Sequence, residues 1–261
     1  MINYHQLTNF FSCLADDRIA RNGQIGEYIM LKGTYRAVAA EFIGSMFLVV
    51  AAVAPIILFT MVFETHIGIA LIANAIAVAW VLFALIEMFG SISGAHFNPV
   101  VTMAMALDKK IDWCKAGIYV PVQIAGGISG ILATHLMFLG DVEYLISVSD
   151  KVRTDYKYFS EIVGTFILVF AILLLVKLKS TKIPMVVSFL VGGMVMSTYS
   201  TMFANPQVTI ARMFTNTASG IRPVDGLIFI AMQIIGALLA FVVYKLIFSN
   251  LKNEGSNQSE L

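Results

Sequence analysis

The side chains whose types and spacing suggest chemistry are two asparagines, each followed by proline: Asn98-Pro99-Val100-Val101-Thr102 and Asn205-Pro206-Gln207-Val208-Thr209. Asparagine accepts hydrogen bonds from the free backbone N–H groups of a helix start, and proline is tolerated at the first helical position because its missing N–H would go unsatisfied there anyway. Each pair therefore predicts a helix start, capped by a side chain that still has amide N–H groups to offer. That is chemistry for hydrogen bonding to a passing molecule. Glu41 and Glu161 are lone carboxylates inside apolar stretches, and Gln123 and Gln233 are lone amides in two others. No nucleophile with a base, no metal-ligand cluster, no phosphate loop and no nucleotide motif is visible in the sequence. The expectation is no catalytic residue, no metal site, no cofactor and no energy coupling. His96 and His135 lack further ligands at compatible spacing; His96 is expected to line the inner vestibule or to pack within its loop.

The segments behind the two asparagines, 100–107 and 208–216, are far shorter than the roughly 20 residues that cross a bilayer. They read as half-helices. Backbone that enters a membrane without spanning it is tolerated only where it is buried in protein or lines a water-filled path, so two such segments predict a pore. Composition agrees with a membrane protein: 59% of the 261 residues are hydrophobic and 13% are charged, against about 25% charged in a soluble globule. The balance of 17 basic and 16 acidic residues, without basic runs, gives no reason to expect a nucleic-acid partner. Cys13 and Cys114 are too few and too far apart for a disulfide framework or a zinc site and read as inert thiols.

The elements that must position these residues follow from hydropathy. Residues 1–36 read as a cytoplasmic tail, with a short amphipathic stretch at 10–14 and no cleavable signal. Spans are predicted at 37–63, 67–89, 116–140, 158–176, 183–197 and 226–248, and a tail at 249–261. The segment 90–97, rich in small residues, leads into the first Asn-Pro pair, and 198–204 leads into the second. The halves repeat: Glu41-Phe42-Ile43-Gly44 matches Glu161-Ile162-Val163-Gly164, and Gln123 with Gly126-Gly127 matches Gln233 with Gly236-Ala237. A channel domain 37–248 thus divides into repeats 37–140 and 158–248. An odd number of spans per half makes the repeats inverted, which puts the functional site at the midplane between them. With the N-terminus cytoplasmic, the inner side collects Arg18, Arg21, Lys32, Arg36, Lys109, Lys110, Lys115, Lys177, Lys179, Lys182, Lys245 and Lys252. The outer side holds Lys151, Arg153, Lys157, Arg212 and Arg222. This asymmetry satisfies the positive-inside rule with both termini cytoplasmic.

Residue by residue, Ser93-Gly94-Ala95-His96-Phe97-Asn98-Pro99-Val100-Val101-Thr102 resembles the first signature of the aquaporin, or major intrinsic protein, family. The second Asn-Pro pair, the paired glutamates and the Gln-x-x-Gly pairs fall where that family has them, so the resemblance spans 37–248. It implies an all-α membrane protein of the aquaporin-like fold, with six transmembrane helices and two re-entrant half-helices in an inverted repeat. It also implies a pore in each protomer, a homotetramer in the plasma (inner) membrane, and glutamates that accept from the backbone carrying each half-helix. The implied activity is passive conduction of water and small neutral solutes.

Where the sequence departs from the family, the filter is affected. An Arg usually stands three residues after the second Asn; here that position is Val208, and Arg212 one turn on cannot be assumed to replace it. Counting back without gaps puts the other constriction positions at Val78, Gly193 and Met202. Such a ring is wide and apolar, although Met is flexible enough to fill part of it. Val at the Arg position resembles a bacterial branch associated with metalloid passage, so glycerol-like polyols and neutral arsenite or other metalloid hydroxides become expected solutes. A strict water channel and a sealed protein that kept the fold are the alternatives. Gln207, where the family usually has Ala, either bonds solute in the lumen or turns away to loop carbonyls. Glu87 has no counterpart in the other half.

Overall fold

The computed structural model describes the backbone of residues 23–257 and the side chains of residues 33–248. Among these residues the chain is entirely helical: α1 (Gly23–Ile57) continued by a π-helical turn (Leu58–Val62), α2 (Ile67–Ser93), α3 (Pro99–Leu107), α4 (Trp113–Met137), α5 (Tyr156–Lys177), α6 (Ile183–Ser197), α7 (Pro206–Arg212) and α8 (Pro223–Asn257). The predicted amphipathic stretch 10–14 and Cys13 lie outside the described residues. Two expected tails are partly helical: α1 begins at Gly23 within the segment read as a tail, and α8 continues past Phe248 to Asn257. Hydropathy marks where a helix must be dry and carries no signal for where it stops once it reaches water. Cys114, read from sequence as an inert thiol, is disulfide-bonded.

Five of the expected six spans are long and apolar enough to cross a membrane: α1 from Gly33 through the π turn, α2, α4, α5 and α8 up to Phe248. The sixth, α6, has 15 residues, which at 1.5 Å per residue reach about 22 Å. It stops where the chain turns inward. The Ser197 and Thr198 hydroxyls fold back onto the Gly193 and Met194 carbonyls, and the next residues re-enter the interior as the approach to α7.

Both half-helices start as local chemistry dictates. Asn98 Oδ1 accepts from Val100 N at 3.0 Å and Asn205 Oδ1 from Gln207 N at 3.1 Å, with Pro99 and Pro206 at the first helical positions. The spans that hold them pack as two matched pairs, α1 against α4 and α5 against α8. A Cβ at Gly126 would collide with the Phe42 carbonyl, and one at Gly236 would come within 2.6 Å of the Ile162 carbonyl. Only glycine allows this approach, in equivalent places in both halves.

Pro55 interrupts α1. It has no N–H to give the Ala51 carbonyl, which would be left bare in the interior. Asn74 of α2 fills the gap: its Nδ2 donates to Ala51 O at 3.1 Å and to Ala52 O at 3.0 Å. The helix then loosens into the π turn.

Candidate functional site

The two re-entrant segments meet tip to tip. Asn98 Nδ2 donates to the Ala204 carbonyl at 2.9 Å, and Asn205 Nδ2 donates to the Phe97 carbonyl at 2.8 Å. Each asparagine therefore caps its own half-helix with its oxygen and ties the opposite segment with its nitrogen. A primary amide has two N–H groups. Among the described residues the second on each has no partner, and both asparagines line an internal cavity of about 150 Å³.

The backbone just before each half-helix is strained. Ala95 and Phe97 have φ of 50° and 47°, and their counterparts Met202 and Ala204 have 43° and 46°. Non-glycine residues in this left-handed region cost about 1–3 kcal/mol each, so surrounding contacts must hold them. The buried carboxylates are those contacts. Glu41 accepts from His96 N at 2.9 Å and Phe97 N at 2.7 Å, from Ser93 Oγ at 2.6 Å and from Gln123 Nε2 at 2.8 Å. Glu161 accepts from Phe203 N at 2.9 Å, Ala204 N at 2.8 Å and Gln233 Nε2 at 2.6 Å. Each glutamine donates onward at 2.9 Å to a half-helix threonine, Gln123 to Thr102 and Gln233 to Thr209. Such backbone at membrane depth needs acceptors inside the protein, and each half supplies the same circuit.

The cavity walls come from one face of each helix, read every fourth residue: Asn74, Val78, Leu82 and Ile86 from α2, and Ile183, Val187, Val191 and Val195 from α6. Leu48 and Ala52 of α1, Leu168, Ile172 and Val176 of α5, Val101 and Met105 of α3, and Val208 and Arg212 of α7 complete them, together with re-entrant residues 94–96 and 201–204. The wall is apolar except for Asn74, His96, Asn98, Thr201, Asn205, Arg212 and the re-entrant backbone. The bundle has two ends. One, the terminal face, carries the end of α5 and the start of α6; the other, the loop face, is covered by the segment joining α4 to α5.

Of the residues expected at the constriction, Val78, Met202 and Val208 line the cavity and Gly193 does not. A Cβ at Gly193 would meet no neighbouring atom within 4 Å; Val191 and Val195 are the α6 residues on this face. Ungapped counting misplaced the helix by two residues, and two residues rotate a side chain by about 200°. Met202 contributes little bulk to the lumen. Its side chain lies in the notch left by Gly164 on α5, where a Cβ would come within 3.0 Å of Met202 Cγ.

Gln207 is turned out of the lumen. It is fully buried, its Nε2 donates to the Phe97 carbonyl at 3.3 Å, and its Oε1 lies against Gly127 of α4 with no hydrogen-bond partner. The other half has Val100 and Ala237 at the equivalent positions. His96 lines the terminal-face end of the cavity and also packs, with Nδ1 3.1 Å from Thr102 Oγ1 and its ring against Tyr119. His135 is tied to the Leu145 carbonyl and the Thr215 hydroxyl, each at 2.8 Å, and fastens the loop-face cover to α4. Glu87 is exposed on the outside of the bundle.

Sequence reasoning overlooked Asn74 and Thr201 in the wall and discounted Arg212. An Asn inside an apolar span was a signal for the first, and the four-residue spacing from Val208 was one for the last. Arg212 is 6% exposed. Its Nε donates to the Ser219 carbonyl and its guanidinium lies 3.7 Å from the centre of the Phe203 ring.

Comparison with known proteins agrees with this geometry. A family model described as Major intrinsic protein matches residues 29–202. The chain is similar to the aquaglyceroporin AqpS of Rhizobium meliloti (strain 1021), 38% identical over 211 residues, which are 80% of this chain and 89% of the relative. It is 27% identical over 177 residues to an aquaglyceroporin of Toxoplasma gondii (strain ATCC 50611 / Me49), covering 66% of this chain and 67% of that one. The X-ray structure of the aquaglyceroporin from Plasmodium falciparum superposes with a TM-score of 0.63 at 19% identity, over 84% of this chain and 98% of that chain, a likeness of fold. With the family model covering most of the chain and two capped half-helices meeting inside the helical bundle, the chain belongs to the major intrinsic protein family, whose members are channels and not enzymes.

Proposed function

We propose that the chain is a passive channel for water and small uncharged solutes of glycerol size, polyols and neutral metalloid hydroxides among them, with one pore in each protomer. The observation that carries this reading is the pair of asparagine amides facing a mostly apolar cavity. A water or hydroxyl at that point accepts from both free amide N–H groups and has apolar wall on either side. Facing helix starts oppose a cation there. Val78, Val191, Val195 and Val208 form an apolar ring that selects by width, with Met202 laid aside, and this favours solutes larger than water. A neutral solute needs no coupled charge, and the wall has no carboxylate of the kind that couples transport to ions.

The same reading assigns the terminal face to the cytoplasm and the chain to the inner membrane, supported by the concentration of Lys and Arg at that face. A homotetramer is proposed by likeness to the family. The test is stopped-flow light scattering on proteoliposomes that hold the full chain, comparing osmotic water flux with glycerol and arsenite uptake. Val208→Arg is expected to abolish solute uptake while water flux persists. Water flux without solute uptake in the parent chain would leave a plain water channel, and no flux of either kind would leave a non-conducting protein.

A further inference from the structure

We propose that this channel divides selectivity between two levels, sieving by size at the valine ring and rejecting charge at Arg212, one helical turn nearer the loop face. The proposal rests on the neutral-solute reading above. Val208 and Arg212 lie on the same face of α7 and line the same cavity, about 6 Å apart along the helix axis at 1.5 Å per residue. The side chains of Val78, Val191, Val195 and Val208 carry no charge and no donor. The ring selects by width alone.

Arg212 is held for a different task. Its Nε is committed to the Ser219 carbonyl and its plane to the Phe203 ring, which fixes the guanidinium. Among the described residues its two terminal nitrogens have no hydrogen-bond partner, and Arg212 lines the cavity. No carboxylate forms an ion pair with it among the described residues. Glu161, whose oxygens accept from Phe203 N, Ala204 N and Gln233 Nε2, makes no contact ion pair with it and acts on it only through space.

A second guanidinium reinforces the charge. The guanidinium of Arg153, from the segment covering the loop face, lies 5.0 Å from the centre of the same Phe203 ring and donates to the Gly220 and Ala218 carbonyls, while the Arg153 backbone N donates to Asp225 Oδ2 at 2.7 Å. Two positive charges therefore share one aromatic ring, which stabilises cations through its face, with neutral carbonyls as their only hydrogen-bond acceptors. Glu161 acts through space on both guanidinium groups, so two positive charges face one carboxylate, and the excess is felt strongly because little water screens it. A cation approaching from the loop face meets this field before it reaches the sieve, whereas a neutral polyol carries no charge for it to repel. Phe203 is thus the platform that positions the charge, and Arg212 is the group that faces the permeant.

The experiment uses the full chain in proteoliposomes, with sodium influx read by a trapped fluorescent indicator alongside stopped-flow water and glycerol permeability. Arg212→Met keeps the apolar stem on Phe203 and removes the charge; it is expected to raise sodium influx relative to water flux at least tenfold, with the glycerol-to-water ratio shifting less than twofold. Arg212→Lys is expected to hold sodium influx near the parent level. Val208→Phe is expected to lower the glycerol-to-water ratio at least tenfold without admitting sodium. Sodium influx in Arg212→Met within twofold of the parent overturns the proposal, and so does a loss of glycerol selectivity equal to that of Val208→Phe. If Arg212→Met does not reconstitute, Arg212→Cys treated with a trimethylammonium or a neutral methyl methanethiosulfonate decides. Suppression of sodium influx by the cationic reagent alone supports the assignment, and equal effects of the two refute it. A parent chain that passes neither water nor glycerol refutes the underlying neutral-solute reading, whereas a conducting parent with a sodium-tight Arg212→Met refutes this proposal alone.

Discussion

Adding one methyl group at Gly127 should destabilise the protein, and should do so only while Gln207 is present. A Cβ at Gly127 would overlap Gln207 Oε1 and sit 3.2 Å from the Gln207 carbonyl oxygen. The amide has no room to retreat, since Gln207 is fully buried and its Nε2 is directed at the Phe97 carbonyl that Asn205 also binds. Overpacking of a filled interior costs about 1–3 kcal/mol. For a chain of this size each kcal/mol moves a melting midpoint by roughly 2–4 °C, so Gly127→Ala should lower it by about 2–12 °C. Gln207→Ala removes a buried oxygen that has no partner, and it opens the space the new methyl would occupy. The double variant recreates the small-residue pairing found in the other half, Val100 with Ala237, and should regain most of the loss. Thermal unfolding of the detergent-solubilised protein, followed by intrinsic fluorescence across the four-member mutant cycle, measures the coupling. An equal drop from Gly127→Ala in both backgrounds would refute the reasoning, because the clash would then lie with the α7 backbone and not with the Gln207 side chain.

Two further variants test the polar framework. Glu161→Gln replaces an acceptor that serves Phe203 N, Ala204 N and Gln233 Nε2 with a group that presents its own donors; at about 1–3 kcal/mol for each buried group left unpaired, solubilised protein should lose several degrees of thermal stability and reconstituted flux should fall. Unchanged melting would mean that the carboxylate does not hold the second re-entrant segment. Asn74→Ala removes the donor that stands in for the missing Pro55 N–H at the Ala51 carbonyl, while the Ala52 carbonyl keeps Ser219 Oγ, and should cost about 1–3 kcal/mol by the same argument. The cost should shrink when Pro55→Ala returns a backbone N–H to Ala51, and an equal cost in both backgrounds, read from the same melting cycle, would sink that account.

What the sequence determined by itself was local or periodic. Asn98 and Asn205 cap helices because side-chain oxygen and backbone N–H lie two residues apart, and Pro99 and Pro206 fit only at such starts. The apolar runs located the spans, and the matched Glu and Gln pairs announced an inverted repeat around two half-helices. Those features sufficed for the fold and the family. The tertiary structure alone decided which side chains meet the permeant. Gly193 lies off the cavity wall and Val191 and Val195 lie on it because the rotation of α6 is set by its packing, with Gly192 against Ala75 and Ala79 of α2, and not by counting along the chain. Gln207 turns away from the lumen because Gly127, distant in sequence, leaves it a slot, and Met202 lies aside because Gly164 does the same. Arg212 becomes a cavity residue because Phe203 and the Ser219 carbonyl hold it there. Each of these outcomes depends on space and partners supplied by another helix or loop, and such contacts leave no pattern in the residues on either side of the position they control.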